Sequence, residues 1–460
     1  MNTPRPAIVT AVFALALADP AMAGEAPPPS LQAAIGNPDN LKVSGSIRVR
    51  YEALDGQFRP GFGASDDLWS IRSTLFAEWD TGPIRIGGEI YDSRAYDTDA
   101  GSVLTTGEVN PVELVQAYLA ADIDSPFGKA SRLSLQAGRF TMNLGSRRLV
   151  AADDYRNTTN GYTGVRADLR LPDQTGATIF YTLPQQRRPD SFADLRANRV
   201  AVDREDWSLR LFGGYISRPI GKRPVLAELG YVRLQEFDRP DLATRDRSLH
   251  SVSARAIKEP KSRRIDFEIE GIYQFGSISS SLSEMSSPLD VEAWFVHSEC
   301  GYTFAHPWKP RVSLEYDRAS GDGPGPGYNR FDTIFGMRRA DLAPAGIYAA
   351  LGRTNLETVG IRAEAAPSGR FDAFVDGRAL WAASATDGFS TTGVRDPSGN
   401  SGRFAGYQVE GRARYWIIPR FLRAEVNAAF LAKRGILRNA PNAPKTGNTV
   451  YVSGAISASF

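Results

Sequence analysis

Residues Val450 to Phe460 alternate without a miss and end on an aromatic. Val450, Val452, Gly454, Ile456, Ala458 and Phe460 fall on one face; Tyr451, Ser453, Ala455, Ser457 and Ser459 fall on the other. A strand repeats every two residues, so this segment offers an apolar side and a small or polar side. A soluble sandwich rarely finishes on such a strand with an uncovered Phe as its last residue. A transmembrane barrel does so naturally, because lipid covers one face, the lumen wets the other, and aromatics sit at the interface. Phe460 is therefore expected to be the membrane-insertion signal, with outer-membrane lipid and the insertion machinery as partners.

The opposite end carries a complementary signal. Ile8 to Ala18 is an apolar run of eleven residues, too short for a membrane-spanning helix, which needs about 20. Arg5 precedes it and Ala21-Met22-Ala23 follows, the small-x-small pattern of a secretory cleavage site. The competing reading is a buried N-terminal helix. The pattern predicts a signal peptide over 1–23, a periplasmic lead-in over 24–41 with an extended Ala26–Ser30 stretch, and an outer-membrane β-barrel over 42–460.

Alternation recurs along the whole chain. Val43, Ile47, Val49 and Tyr51 face away from Ser44, Ser46, Arg48 and Arg50. Trp69, Ile71, Leu75 and Trp79 face away from Arg72, Thr74 and Glu78, and Tyr407, Val409 and Ala413 from Glu410, Arg412 and Arg414. In a soluble sandwich such charges would sit in the core; in a barrel they line water. The connectors alternate too. Short ones at 81–83, 172–176, 259–263, 305–310, 367–370 and 418–420 separate long ones at 92–111, 141–161, 184–204, 277–290, 320–355 and 386–403. That is the layout of short periplasmic turns and long extracellular loops. The expected fold is an all-β transmembrane antiparallel β-barrel of about 18 strands. Sixteen is the alternative, because 110–122 and 225–237 are weakly patterned. Aromatics near strand ends (Trp79, Tyr91, Trp207, Tyr231, Trp294, Trp308, Tyr348, Trp381 and Trp416) are expected to form interfacial girdles.

Charge is nearly balanced, 54 basic against 52 acidic residues, but only 8 of the bases are Lys, which leaves 46 Arg. Arg stays charged when crowded and pairs bidentately with carboxylates, which suits a charged lumen. The alternation places Arg48, Arg50, Arg72, Arg166, Arg170, Arg210, Arg362, Arg378, Arg412, Arg414 and Arg423 along the solute path. Their expected partners are Glu78, Asp168, Asp266, Glu268, Glu315, Glu364, Asp376, Glu410 and Glu425. Loop arginines Arg147, Arg148, Arg338, Arg339 and Arg353 either fold inward as a constriction or contact lipopolysaccharide phosphates.

Several short motifs follow one another in a set order. Gly138-Arg139-Phe140 leads to Leu144-Gly145, Arg147-Arg148-Leu149-Val150, Asp153-Asp154-Tyr155-Arg156-Asn157-Thr158 and Gly161-Tyr162-Thr163-Gly164-Val165-Arg166. A second set runs Ser320-Gly321-Asp322, Asn329-Arg330-Phe331-Asp332, Pro344-Ala345-Gly346-Ile347-Tyr348 and Gly352-Arg353-Thr354-Asn355-Leu356. Together they resemble the alginate export family of outer-membrane porins, over essentially the whole mature chain. The residues carrying the resemblance include Gly138, Arg139, Arg148, Asp154, Asn157, Gly164, Arg166 and Asn355. Where the family favours Phe-Asp, this chain has Tyr162-Thr163, an expected loss of one lumenal carboxylate. The resemblance implies passage of an anionic uronate polymer, or of smaller anionic solutes, through an Arg-rich pore, with a periplasmic scaffold as a further partner.

Other chemistries find little support in the sequence. Cys300 is alone, which excludes an intramolecular disulfide and argues against a thiolate metal site. Of the three histidines, His250, His297 and His306, only His250 is placed near the outer rim, and no Ser or Asp motif accompanies it. Gly321 to Gly327 is Gly-rich, but its prolines remove donors a phosphate cradle needs. Acidic loop residues Asp97, Asp99, Asp153 and Asp154 could hold Ca²⁺, though solvated surface charge explains them more simply. No metal, other cofactor or nucleic-acid partner is expected. Three functions remain: an exporter of anionic polysaccharide, a general or small-anion uptake porin, and a barrel enzyme with a rim site at His250.

Overall fold

The computed structural model describes residues 28–153, 155–221, 225–283, 285–337 and 341–460. The expected leader lies outside the described residues, as do Asp154, Arg338 and Arg339. After a one-turn helix α1 (Leu31–Ala34), eighteen strands follow. They are β1 (Leu41–Asp55), β2 (Ser65–Asp80), β3 (Arg85–Tyr96), β4 (Asn110–Asp124), β5 (Arg132–Phe140) and β6 (Tyr162–Arg170). Next come β7 (Gly176–Pro184), then a short helix α2 (Phe192–Arg196), β8 (Leu209–Ile220), β9 (Val225–Glu236), β10 (Ser248–Lys258), β11 (Arg264–Ser279) and β12 (Pro288–Thr303). The circuit is completed by β13 (Arg311–Ala319), β14 (Leu356–Ala365), β15 (Phe371–Trp381), β16 (Phe404–Ile418), β17 (Leu422–Lys433), helix α3 (Gly435–Asn439) and β18 (Thr449–Ser459).

Each strand pairs antiparallel with its sequence neighbours, and β1 closes the circle on β18. The strand count is therefore eighteen, and the two weakly patterned segments are β4 and β9. At the seam, the amide of Phe460 donates to Gly45 O at 2.9 Å and the Gly45 amide donates to Phe460 O at 2.7 Å. The final residue thus extends the ladder by one pair. Closure leaves no strand edge unpaired, as a lipid setting requires.

The outer face is apolar. Ile47, Leu75, Val165, Ile179, Leu229, Ile269, Leu314, Ile361, Val375 and Ile456 are all exposed there. Trp79, Trp207, Tyr231, Trp294 and Trp308 are exposed as well. Three other aromatics depart from the girdle expectation. Tyr348 is fully buried inside the barrel, Tyr91 covers the inward Arg72 at 5.6 Å, and Trp416 covers Arg423 at 5.4 Å.

Two glycines of the ordered motifs are explained by close backbone approach. Gly138 and Gly164 are register partners in β5 and β6. A Cβ on Gly138, whose φ is +119°, would lie 2.3 Å from Ala117 O, and one on Gly164 would lie 2.1 Å from Tyr181 O. Only glycine fits there without moving a neighbouring strand.

Candidate functional site

Two long outer loops, 141–161 and 320–355, fold into the lumen and narrow it. They meet each other where Val150 bridges Phe335. Loop 141–161 packs Met142, Leu144, Leu149 and Val150 on inward Leu211, Leu234, Ile272 and Phe295. Loop 320–355 packs Leu342, Ile347, Tyr348 and Leu351 on Leu54, Leu431 and Tyr451. The outer half of the lumen therefore has an apolar lining that these loops cover.

Polar staples fix both loops. Asn157 is fully buried, and its Nδ2 donates to the carbonyls of Ile71, Arg94 and Glu108 at 3.1, 3.2 and 2.8 Å. Asn355, also fully buried, donates to Ser384 O and Gly388 O at 3.1 and 3.0 Å and accepts from Ser384 N at 2.7 Å. Each satisfies carbonyls that burial would otherwise leave unpaired.

Arg148 and Arg353 settle the two readings of the loop arginines: both point inward and are buried, at 4% and 0% exposure. Arg148 donates to Glu268 and Glu270 of β11 at 2.5 Å each, and to Asp341 of the second loop at 2.8 Å. Arg353 donates to the same Asp341. Burial alone would raise the Asp341 carboxyl, but the two guanidiniums outweigh it and hold it well below the usual range. Burial would likewise lower Arg148, and its three carboxylates reverse that.

Below this latch the lumen carries charge on both sides. Arg48 and Arg72 stand directly opposite each other on β1 and β2. Arg48 donates to the carbonyls of Tyr155 and Arg156 at 3.3 and 2.6 Å, and Arg50 reaches Glu52 at 3.1 Å. Further round, Arg412 and Arg414 share Asp372 at 3.4 and 2.8 Å, and Arg423 lies 3.7 Å from Glu425. Phe374 is sandwiched between Arg362 and Arg412, at 3.7 and 5.0 Å.

Glu364 takes Arg362 at 3.1 Å and Arg311 at 3.5 Å. Arg166 pairs with Asp168 at 2.6 Å. Glu78 holds Arg85 at 2.9 Å and Lys42 at 3.4 Å. Glu410 is buried on the same inward face. Arg378 is sealed among Glu315, Asp317 and Asp376 at 3% exposure, which makes it a wall brace rather than a lining group. Arg147 and Arg170 are exposed and have no carboxylate partner among the described residues. They border two adjoining spaces of about 410 and 480 Å³ on either side of Gly145.

Besides Arg378, two further expected positions need correction. Arg210 does not line the lumen: it shares the face of Ile216 and Ile220, both exposed to the outside, while Leu209 and Leu211 point in. Thr163 shares the outward face of Val165, and its hydroxyl donates to Glu205 of loop 185–208 at 3.1 Å. No lumenal carboxylate is lost at that position. Arg139, close by, binds Glu113 at 2.8 Å and Glu205 at 2.7 Å, a tie between barrel rim and loop.

Sequence reasoning also missed lumenal groups: Arg255, Arg311, Glu299, His297, Asp317 and the latch acid Asp341. All but Asp341 lie on alternating strand positions and were findable by extending the alternation to the strand ends. Asp341 sits in an irregular loop where no period exists.

Among the described residues, two side-chain sets could present metal ligands within 4.8 Å of one another: Glu268, His297 and Glu299, and His297, Asp317 and Asp341. Their carboxylates already face guanidiniums, Glu268 with Arg148 and Arg255, Glu299 with Arg311, and Asp317 with Arg378. The charge is met without a cation. His250 faces outward, its ring stacked on Phe275 at 4.9 Å, on the opposite side of the wall from the lumen.

The sequence pattern described as alginate export matches residues 39–449. No curated protein matches the chain significantly. Solved structures with a similar fold include a BenF-like porin from Pseudomonas fluorescens Pf-5, 10% identical with a TM-score of 0.60, covering 91% of this chain and 99% of that one. OccK9 (OpdG) of Pseudomonas aeruginosa is 12% identical with a TM-score of 0.58, covering 92% and 98%. OccK2 (OpdF) of Pseudomonas aeruginosa, solved in complex with glucuronate, is 11% identical with a TM-score of 0.56, covering 91% and 96%.

Proposed function

Since the chain belongs to the alginate export family, we propose that this bacterial outer-membrane channel passes anionic solutes, and that its cargo is an anionic, alginate-like polysaccharide leaving the cell. The observation that carries the reading is the set of lumenal guanidiniums with capacity to spare. Arg147 and Arg170 have no carboxylate among the described residues, and Arg48 spends its hydrogen bonds on carbonyls and Asn157. Uncompensated guanidinium charge in a low-dielectric passage concentrates anions, while the paired neighbours keep the polymer from binding too tightly.

The second reading, an uptake porin for small anions, is favoured by one observation: both inward loops narrow the lumen. A barrel of similar fold held glucuronate, a single uronate, which fits either direction of transport. Planar-bilayer recording of the refolded mature chain separates the readings. Anion selectivity with block by oligouronate supports the polymer channel, and Arg362→Glu or Arg414→Glu should then reverse the selectivity. Anion selectivity with block by monomeric uronate alone supports the small-solute porin. A weakly selective, unblocked conductance refutes both.

A further inference from the structure

One group of basic side chains lies outside the lumen altogether. Arg210 on β8, Arg233 on β9, and Ser248 and His250 on β10 stand on the outward face near the outer rim. Their sequence neighbours Leu211, Val232, Leu234, Leu249 and Ser251 are buried inward. Arg233 is register partner of both Phe212 and His250, and Arg210 of Gln235. Arg210 and Arg233 are therefore diagonal neighbours on one surface, within reach of a shared ligand.

What these guanidiniums touch sets them apart from the lumenal ones. Arg233 meets His250 Nε2 at 2.6 Å and donates to Ser248 Oγ at 3.4 Å. Arg210 lies over the Phe237 ring at 5.0 Å. Neither has a carboxylate among the described residues. The ring of His250 is held by the Tyr231 hydroxyl at 2.8 Å and by its stack on Phe275. A charge on the lipid face is costly at depth and tolerable only near an interface or beside a counter-charge. Among the described residues no counter-charge is supplied.

Lower on the same face the wall changes character. Ala227, Ala254 and Ala256 form a floor of small side chains bordered by Ile216, Leu229 and Ile269, a groove of about 520 Å³. Arg233 and Leu229 are four residues apart on one strand, so the groove starts roughly 13 Å below the basic cluster. An anionic head with an acyl chain hanging from it spans that interval.

We propose that the outward face of β8 to β10 docks a phosphate-bearing glycolipid of the outer leaflet, with Arg210 and Arg233 gripping a phosphate and the alanine-floored groove taking an acyl chain. Guanidinium pairs bind phosphate through parallel charge-assisted hydrogen bonds. The aromatics around them sit where headgroup meets acyl chain.

The test is native mass spectrometry of the full folded chain in detergent, titrated with bis-phosphorylated lipid A and with the same lipid stripped of phosphate. A heat-modifiable gel shift shows that each variant is folded. The wild-type protein should retain the phosphorylated lipid and lose it on phosphate removal. Arg210→Gln with Arg233→Gln should weaken retention at least about tenfold, as expected for two lost charge-assisted contacts. Arg210→Lys with Arg233→Lys should fall between the two, because the charge survives while the parallel hydrogen bonds do not. Arg94→Gln, outward on the distant strand β3 and paired with Asp92, should change nothing. Equal retention by the double Gln variant, or equal retention of dephosphorylated lipid, overturns the proposal.

Discussion

Arg148→Ala tests whether the lumen is narrowed by a latch. The side chain is 4% exposed and joins three carboxylates, Glu268, Glu270 and Asp341, from two different parts of the barrel. Truncation leaves those acids facing one another, with Arg255 still on Glu268 and Arg353 still on Asp341. Breaking a buried charge network by removing one partner costs about 3–5 kcal/mol. The remaining arginines place this case at the lower end. A bias of about 3 kcal/mol shifts a docked-to-undocked ratio by roughly 150-fold, enough to loosen a loop that is also held by Asn157, by Arg48 and Arg50 on its carbonyls and by an apolar patch. Single-channel recording should show a larger mean conductance with frequent steps, and limited proteolysis should cut 141–161 faster. Adding Glu270→Gln to Arg148→Ala should recover part of the wild-type behaviour, because one orphaned charge is gone. Wild-type conductance and wild-type cleavage in Arg148→Ala would falsify the latch.

The other predictions rest on separate contacts. Asp203, in loop 185–208, is pushed up to about 7 by burial and then by the nearby Glu113 charge. The docked loop thus holds its proton more tightly than an undocked one, whose value is near 3.8. Docking is tightest below that lower value, weakens as pH rises toward about 7, and is constant above, with a penalty of up to about 4 kcal/mol. Cleavage of 185–208 should rise from pH 5 to a plateau near pH 8, and Asp203→Asn should flatten the curve. At Asn157, the Asp variant should be worse than the Ala variant, since a carboxylate would face three carbonyls; loop cleavage rates give the order. Gly164→Val should cut the yield of heat-modifiable barrel sharply, whereas Gly271→Ala, with nothing within 4 Å of its Cβ, should not.

The strands were legible in the sequence wherever the two faces of the wall meet different media. Arg412, Arg414, Tyr407 and Val409 announce their sides because one pair meets water and the other lipid. That contrast fails in β9, where Leu229 and Tyr231 face out while Val232 and Leu234 face in beneath the folded-in loop. Both faces are then apolar, and the period disappears. Arg210 was misplaced for a related reason. Its strand has Leu209 and Leu211 inside and a guanidinium outside near the rim, the reverse of the rule that serves mid-barrel. The loop contacts were not legible at all. Asp341 is about 190 residues from its partner Arg148, and nothing local marks one as the complement of the other. Short motifs did preserve a trace, because Asn157, Asn355, Gly138 and Gly164 are each required by a particular close contact.

The inward loops and the charged lumen are linked by the same residues. Glu268 and Glu270 lie on β11, in the wall, yet they are neutralised by Arg148 from a loop, while Arg48 and Arg50 of the facing wall are capped by that loop's carbonyls at Tyr155 and Arg156. Loop 141–161 thus covers acids on one side with the Arg148 side chain and bases on the other with its backbone carbonyls. If it lifts, the acidic and basic walls are exposed together, so opening changes the field across the passage as well as its width. Arg148→Ala should therefore lower anion selectivity while raising conductance, because Glu268 and Glu270 lose their cation as the path widens. A variant that widens the pore with selectivity unchanged would place the permeation path elsewhere than between these two walls.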